Sequence, residues 1–413
     1  MSTILIKNAD IVTLDQDGMI HHDTDLLISE GRIAAISKNI DAQVEEVIDG
    51  SGRVVMPGLF NAHCHSPMTF ERGWAEALPF PRWLNEKIWV AESALTSDDV
   101  YWGAMLAACE MIRSGTVAFN DHYFFMNRVA EVVAQSGLKA NLTKCVFGIG
   151  AEKEIGGDLN AALEFIQMHK DLMPKRLKVS LGPHSPYVCP PEFLEQVVRL
   201  AREHKLPIHL HVSESKEQIE NSKKNYGKTP VQQLHDLGAL DGHVVAAHCL
   251  QLDEGYIEIL AKKKVHVVRT PITYMKLAMP VNRIDSLQKA GITVALGTDG
   301  PGSNNDMDMF ATIRQVALME KYLCEDPEQL AGDLPLRMAT QYGAQTMGFT
   351  DSGTIEVSAA ADVIILDFRK PHLFPRHDLI ANLVHSAKGS DVTHTIVGGK
   401  VLMRERRIIT LDE

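Results

Sequence analysis

The chain reads as an α/β protein: a (β/α)8 TIM barrel with a small β-sandwich domain formed by both termini. Three observations predict it. Apolar, β-rich runs alternate with amphipathic helical runs from Val54 to Tyr322. The two ends of the chain lack that alternation and read as short strands separated by turns. Polar residues able to bind metal recur where the candidate strands stop, which is where a barrel gathers its catalytic groups.

The elements follow in order. Ile4–Lys7, Ala9–Thr13, Asp25–Ile28 and Gly31–Ile36 are β-rich, with Asn, Asp and Gly between them. Ala361–Leu366, Thr395–Leu402 and Arg407–Ile409 repeat the pattern, so residues 1–55 and 355–413 are expected to form one discontinuous domain around a catalytic barrel of 56–354. Barrel strands are expected at Val54–His63, Thr116–Asn120, Lys139–Phe147, Lys178–Gly182, Pro207–Val212, His243–His248, His266–Arg269 and Thr293–Gly297. Helical runs at Asp98–Arg113, Pro191–His204, Asp253–Lys263 and Met307–Tyr322 lie between or after them. A doubly wound open sheet would call for a Gly-x-Gly-x-x-Gly turn after the first strand, and none follows.

At 413 residues, 45% hydrophobic and 23% charged, the chain can bury a large core. No apolar run reaches the roughly 20 residues that span a bilayer. The start, Met1–Lys7, lacks the order of a signal peptide, so no membrane and a cytoplasmic location are expected. Six cysteines without a Cys-x-x-Cys pair suit reduced thiols. A net charge of −12 offers no basic stripe for phosphates, which argues against nucleic acid and for a small molecule, or a second copy of the chain, as partner.

The first barrel strand ends in two histidines. Positions i and i+2 of a strand share a face, so His63 and His65 can present ring nitrogens to one ion while Cys64 faces away. Such pairs also occur without metal, so further ligands must come from other strand ends. Candidates are His184 after the fourth strand, His209, His211 and Glu214 along the fifth, His248 at the end of the sixth and Asp299 after the eighth. Singly, His184 could cap a turn, His248 pack in the core and Asp299 cap a helix. Together they converge on one barrel axis, and coincidence becomes the harder claim.

Pro57–His65, Gly182–Pro186, His211-x-x-Glu214, His248-Cys249 and Gly297–Gly300 resemble, in order and spacing, the amidohydrolase superfamily in its mononuclear-metal aminohydrolase branch. Nearest are the 5-methylthioadenosine/S-adenosylhomocysteine deaminases, with the s-triazine hydrolases as relatives. The resemblance runs the length of the chain and implies a distorted barrel in which His63, His65, His211 and Asp299 hold one zinc ion, or Fe2+ in its place. Imidazole and carboxylate donors suit either better than Mg2+. It also implies that Glu214, His248 and His184 are catalytic or contact substrate, and homo-oligomers are common in that family. In this scheme Glu214 carries a proton from the attacking water to a ring nitrogen, His248 stabilises charge on the attacking oxygen, and Asp299 passes a proton to the leaving amine. His209 and His211 share a face of one strand; the His-x-x-Glu spacing favours His211 as ligand, with His209 packed deeper.

In the resembling deaminases a glutamate after the first strand holds the ribose diol, and Glu92, beside Trp89, falls at the matching place. Trp74, Phe80, Trp83 and Trp89 could wall a flat heterocycle or simply pack the loop onto the barrel rim. Two departures stand out. Lys144 occupies a position where some members grip a carboxylate with arginine, and Ala151–Asp158 offers no second arginine; a lone lysine is a point charge, not a clamp. After the seventh strand the family's Asn-Pro-x-Ser-Asn-x-Lys-Leu is replaced by Thr270–Leu277, preceded by Arg269, which puts Arg269 and Tyr274 at the expected pocket mouth. The expected function is hydrolytic deamination of an adenine-type nucleoside: 5-methylthioadenosine, S-adenosylhomocysteine, adenosine or a 5-deoxy analogue. The alternatives are hydrolysis of another amino- or chloro-substituted ring (s-triazine, pterin, oxopurine) and a catalytically inactive structural barrel, against which the complete ligand set argues.

Overall fold

The computed structural model describes residues 3–149 and 157–413. Strand β1 (Ile4–Val12) is the hub of the terminal sheet. It pairs antiparallel with β2 (Ile20–Ser29) along one edge, and parallel with β4 (Glu46–Asp49) and then β5 (Arg53–Pro57) along the other, while β3 (Arg32–Ser37) extends β2. Ile4–Lys7 and Ala9–Thr13 are thus one strand, interrupted at Asn8, whose φ of 58° accompanies a register shift.

Eight parallel strands form the barrel: β6 (Leu59–Cys64), β7 (Thr116–Tyr123), β8 (Lys139–Val146), β9 (Leu177–Pro183), β10 (Ile208–Val212), β11 (Val244–His248), β12 (His266–Arg269) and β13 (Val294–Leu296), each bonded to its sequence neighbour. A parallel bridge between Cys64 and Asp299 joins the last to the first. That approach requires glycine at 297, because a Cβ there would lie 2.4 Å from the His63 carbonyl oxygen. Helices cover the outside. The helix Ser97–Ser114 starts at Thr96, whose hydroxyl accepts from the Asp99 amide in a capping box, and stops at Gly115 with φ 89°. Its buried face is Val100, Ala104, Ala107, Ala108, Met111 and Ile112.

The chain then returns to the terminal sheet with β14 (Val363–Asp367), β15 (Val392–Val397), β16 (Lys400–Arg404) and β17 (Arg407–Ile408). One hydrogen-bonded path, β17-β16-β15-β14-β5-β1-β2-β3, curls over a core that includes Ile4, Ile6, Leu26, Ile28, Val363, Ile365 and Ile396.

The structure divides the expected first strand, Val54–His63. Its first half is β5 in the terminal sheet and its second half is β6 in the barrel, with the bend at Gly58, where a Cβ would lie 2.2 Å from Val117. Thr395–Leu402 likewise splits, at the Gly398-Gly399 turn. Strand β7 runs past Asn120 and brings Asp121, His122 and Tyr123 to the rim. No helix among the described residues is long and apolar enough to cross a membrane.

Candidate metal centre and active site

Three imidazoles at the strand ends are held from behind. The His65 Nδ1–H donates to the His122 carbonyl at 2.7 Å, and the His211 Nδ1–H donates to the His184 carbonyl at 2.8 Å. His63 Nδ1 lies 2.9 Å from His209 Nε2. A neutral imidazole with its proton on Nδ1 keeps a bare lone pair on Nε2. Those Nε2 atoms meet Asp299: Oδ1 is 3.3 Å from His65 Nε2 and 3.7 Å from His63 Nε2, and His211 Nε2 is 3.4 Å from His65 Nε2. His63 Nε2 is buried and has no hydrogen-bond partner. A buried, unpartnered lone pair beside a carboxylate and further imidazoles is an arrangement that a divalent cation satisfies, and the donors are of the type zinc takes. The ligand atoms of His63, His65 and Asp299 lie within 4.8 Å of one another, and so do those of His63, His211 and His248.

The electrostatics point the same way. Burial, reinforced by neighbouring histidines, pushes His63 and His211 well below the ordinary histidine value. Burial also opposes charge on His65, but its contact with Asp299 prevails and lifts it to about 9. Asp299 is held down at about 2, burial being outweighed by His65 and His248. The cluster therefore stabilises positive charge between His65 and Asp299, where a metal ion would supply it permanently. His248 and Asp299 have φ of 71° and 64°, sparsely populated for non-glycine residues and of the kind that accumulates at functional sites.

Glu214 faces this cluster from the turn after β10, its amide donating to Gln218 Oε1 at 3.0 Å. Burial and then the Asp299 charge raise its carboxyl to about 8. Glu214 Oε1 is 3.5 Å from His248 Nε2. Beyond them opens a cavity whose lining includes Phe80, Trp83, Trp89, Glu92, Phe147 and His184. Phe147 stacks on His184 with centroids 4.8 Å apart, and Trp89 meets both rings edge-on at 6.4 Å. Trp74 is 56% exposed and does not line the cavity.

The structure thus brings His63, His65, His211, Asp299, Glu214, His248, His184, Glu92 and Trp89 to one place, and leaves three candidates elsewhere. Lys144 is half-buried and does not line the cavity; most of Ala151–Asp158, which carries no companion arginine, lies outside the described residues. Arg269 and Tyr274 are buried behind His248 rather than at the cavity wall. Arg269 donates to Asn282, and the Tyr274 hydroxyl lies 3.3 Å from His248 Nδ1.

His209, expected to pack deeper than His211, is the group behind His63. Other residues enter unannounced. His122 lines the cavity with both ring nitrogens buried and unpartnered; the signal for it was the Asp121-His122-Tyr123 end of β7, beyond the expected strand limit. Glu71 is buried with both carboxyl oxygens unpartnered.

A profile described as the amidohydrolase family matches residues 54–402. The chain belongs to that family. Among the proteins similar to this amidohydrolase is a 5-methylthioadenosine/S-adenosylhomocysteine deaminase of Dictyoglomus turgidum, 44% identical, with 99% of this chain and 95% of the relative covered. A 5'-deoxyadenosine deaminase of Methanosarcina mazei is 42% identical over 100% of this chain and 95% of its own. Among solved structures, an adenosine deaminase of Xanthomonas campestris with bound zinc superimposes with a TM-score of 0.94 at 32% identity, covering 99% of this amidohydrolase and 94% of that chain. A triazine hydrolase variant shares the fold, with a TM-score of 0.92 at 24% identity and 100% and 97% coverage.

Proposed function

We propose that this amidohydrolase is a zinc-dependent deaminase of adenine-type nucleosides, acting on 5-methylthioadenosine, a 5-deoxyadenosine or a close analogue. The observation that carries the reading is the position of Glu214, between the His63–His65–His211–Asp299 cluster and an aromatic-walled cavity that also holds Glu92. The deaminase names of relatives aligned over almost the whole chain support it.

His63, His65, His211 and Asp299 would hold the ion, which supplies Lewis acidity and a nucleophile at neutral pH. Glu214 takes the proton of the attacking water and delivers it to a ring nitrogen, so that the amine-bearing carbon becomes electrophilic. His248 donates to the oxygen on which charge develops. Asp299 takes the remaining proton from the added oxygen and passes it to the departing amine, the carbon–nitrogen bond breaks, ammonia leaves and a ring carbonyl remains. Trp89 and His184 flank the base, and Glu92 accepts the ribose hydroxyls. Burial of the cavity excludes bulk water and strengthens each of these contacts.

Ammonia release by zinc-loaded protein on 5-methylthioadenosine, S-adenosylhomocysteine, adenosine, guanine and melamine tests this. Turnover of the nucleosides, abolished by Glu214→Gln, is expected. Turnover confined to guanine or the triazine would overturn the substrate assignment.

A further inference from the structure

Behind His248 lies a hydrogen-bond arrangement that neither the metal cluster nor the cavity wall explains. The Tyr274 hydroxyl accepts from the Thr270 backbone N–H at 2.9 Å and lies 3.3 Å from His248 Nδ1. The Thr270 hydroxyl is 3.4 Å from the same nitrogen. Tyr274 is 1% exposed, packed with Leu250 and Met319, so solvent offers its hydroxyl no alternative partner.

A phenol has one proton and two lone pairs. The Thr270 amide always donates, so one lone pair of Tyr274 is committed and its proton is left to find an acceptor. Among the described residues two acceptors are within reach, His248 Nδ1 and the Thr270 hydroxyl, and a Thr270 hydroxyl that took this proton would turn its own toward the same Nδ1, so in either case a hydroxyl proton of the pair is left to His248 Nδ1. We propose that Tyr274 is a positioning residue that donates to His248 Nδ1 and thereby fixes the imidazole in the tautomer with its proton on Nε2, aimed at the reacting oxygen.

One further observation agrees. Burial raises the Tyr274 hydroxyl, which stays protonated and therefore a donor. The assignment has a consequence for the metal. The ligand atoms of His63, His211 and His248 are close enough to share an ion, but a ligand must offer a bare nitrogen. With Nε2 protonated, His248 drops out of that set and remains a hydrogen-bond donor, whereas His65 and His211, whose Nδ1–H groups are spent on carbonyls, keep Nε2 as the atom that meets an ion once any proton on it is released. The opposite tautomers of neighbouring histidines thus separate ligand from catalyst.

The inference deepens the deaminase reading, and its test is chosen so that the two can fail separately. Nitrogen-15 spectra of histidine-labelled zinc-loaded protein, with His248→Gln to assign the signal, report the tautomer without any substrate. The expected result is a protonated Nε2 and an accepting Nδ1 on His248, with the two tautomers mixed in Tyr274→Phe. A protonated Nδ1 in the unmodified protein overturns the proposal even if nucleosides are deaminated. On any substrate that releases ammonia, Tyr274→Phe is expected to lower kcat by about 10- to 100-fold with KM and zinc per chain nearly unchanged. An unchanged kcat, or a tautomer that survives Tyr274→Phe but is lost in Thr270→Val, also overturns it.

Discussion

His63 Nδ1 and His209 Nε2 lie 2.9 Å apart, and His209 Nδ1 continues to the Thr143 hydroxyl at 3.3 Å. Burial holds His209 at about 3, so it is neutral and carries one proton. If His63 donates through Nδ1, His209 accepts on Nε2 and donates to Thr143, and the bare Nε2 of His63 faces Asp299. His209 would then act as the support of a ligand. Removing such a support costs about 10- to 100-fold in metal affinity or activity. His209→Ala is therefore expected to weaken zinc binding by that factor in competition with a chelator. His209→Gln, which keeps an acceptor, should lose less; equal affinity in all three proteins would remove His209 from the chain of support.

Glu214 gives a prediction with a definite sign. Burial and the Asp299 charge both disfavour its ionised form, which places it at about 8 in the metal-free protein. A cation held beside Asp299 cancels that repulsion and favours the carboxylate, so zinc should move the Glu214 titration to lower pH. Carbon-13 spectra of glutamate-labelled protein, assigned with Glu214→Gln, would follow the midpoint with and without zinc. A midpoint that stays in place would mean that the ion binds away from Asp299.

The barrel, its order of strands and the histidines at their ends were legible because strand-end polar residues break an apolar pattern at separated points in the sequence. Membership of the amidohydrolase family, read from Pro57–His65 through Gly297–Gly300, is borne out by a match over residues 54–402. Less legible was whatever depends on where a side chain ends up after the backbone bends. Val54–His63 is one apolar run, and only the Val117 contact at Gly58 shows that it serves two sheets. His122 escaped because β7 was expected to stop at Asn120. Arg269 and Tyr274 were expected at the pocket mouth from their departure from the family pattern, but a substitution in sequence does not say on which side of His248 it lies. In the fold both pack behind it, where a buried guanidinium finds Asn282 and a buried phenol finds an imidazole.

Glu71 is a carboxyl without a visible benefit to the fold. It is 3% exposed, both oxygens lack partners, and burial together with the Glu92 charge holds it well above the ordinary glutamate range. The folded protein therefore binds a proton that the unfolded chain releases above about pH 4.3. Between that value and the raised one the unfolded state binds fewer protons, so this group makes stability fall as pH rises. Glu71→Leu removes the slope and an unsatisfied polar group worth about 1–3 kcal/mol. Denaturant midpoints at pH 6 and pH 8.5 should both rise, more at the higher pH. A lower midpoint at both would show that the carboxyl has a partner in solution.

Gly297 ties barrel closure to the metal centre. A Cβ at this position would lie 2.4 Å from the His63 carbonyl oxygen and 2.8 Å from its amide nitrogen, both backbone atoms that no rotamer change can move aside. Alanine must therefore push β13 away from β6, at a cost of about 1–3 kcal/mol typical of overpacking. The same displacement separates Asp299 from His63, because the Asp299 amide donates to the His63 carbonyl at 3.1 Å. Gly297→Ala is thus expected to lower the denaturation midpoint and the zinc affinity together. Gly255→Ala serves as the control: it lies near the start of the helix Glu254–Lys262, its added methyl would meet Asp253 Oδ1 at an ordinary 3.6 Å, and a small gain in stability with unchanged zinc binding is expected. If Gly297→Ala lost stability but bound zinc with full affinity, closure of the barrel and assembly of the ligand set would be independent, and the bridge between Cys64 and Asp299 would be structural alone.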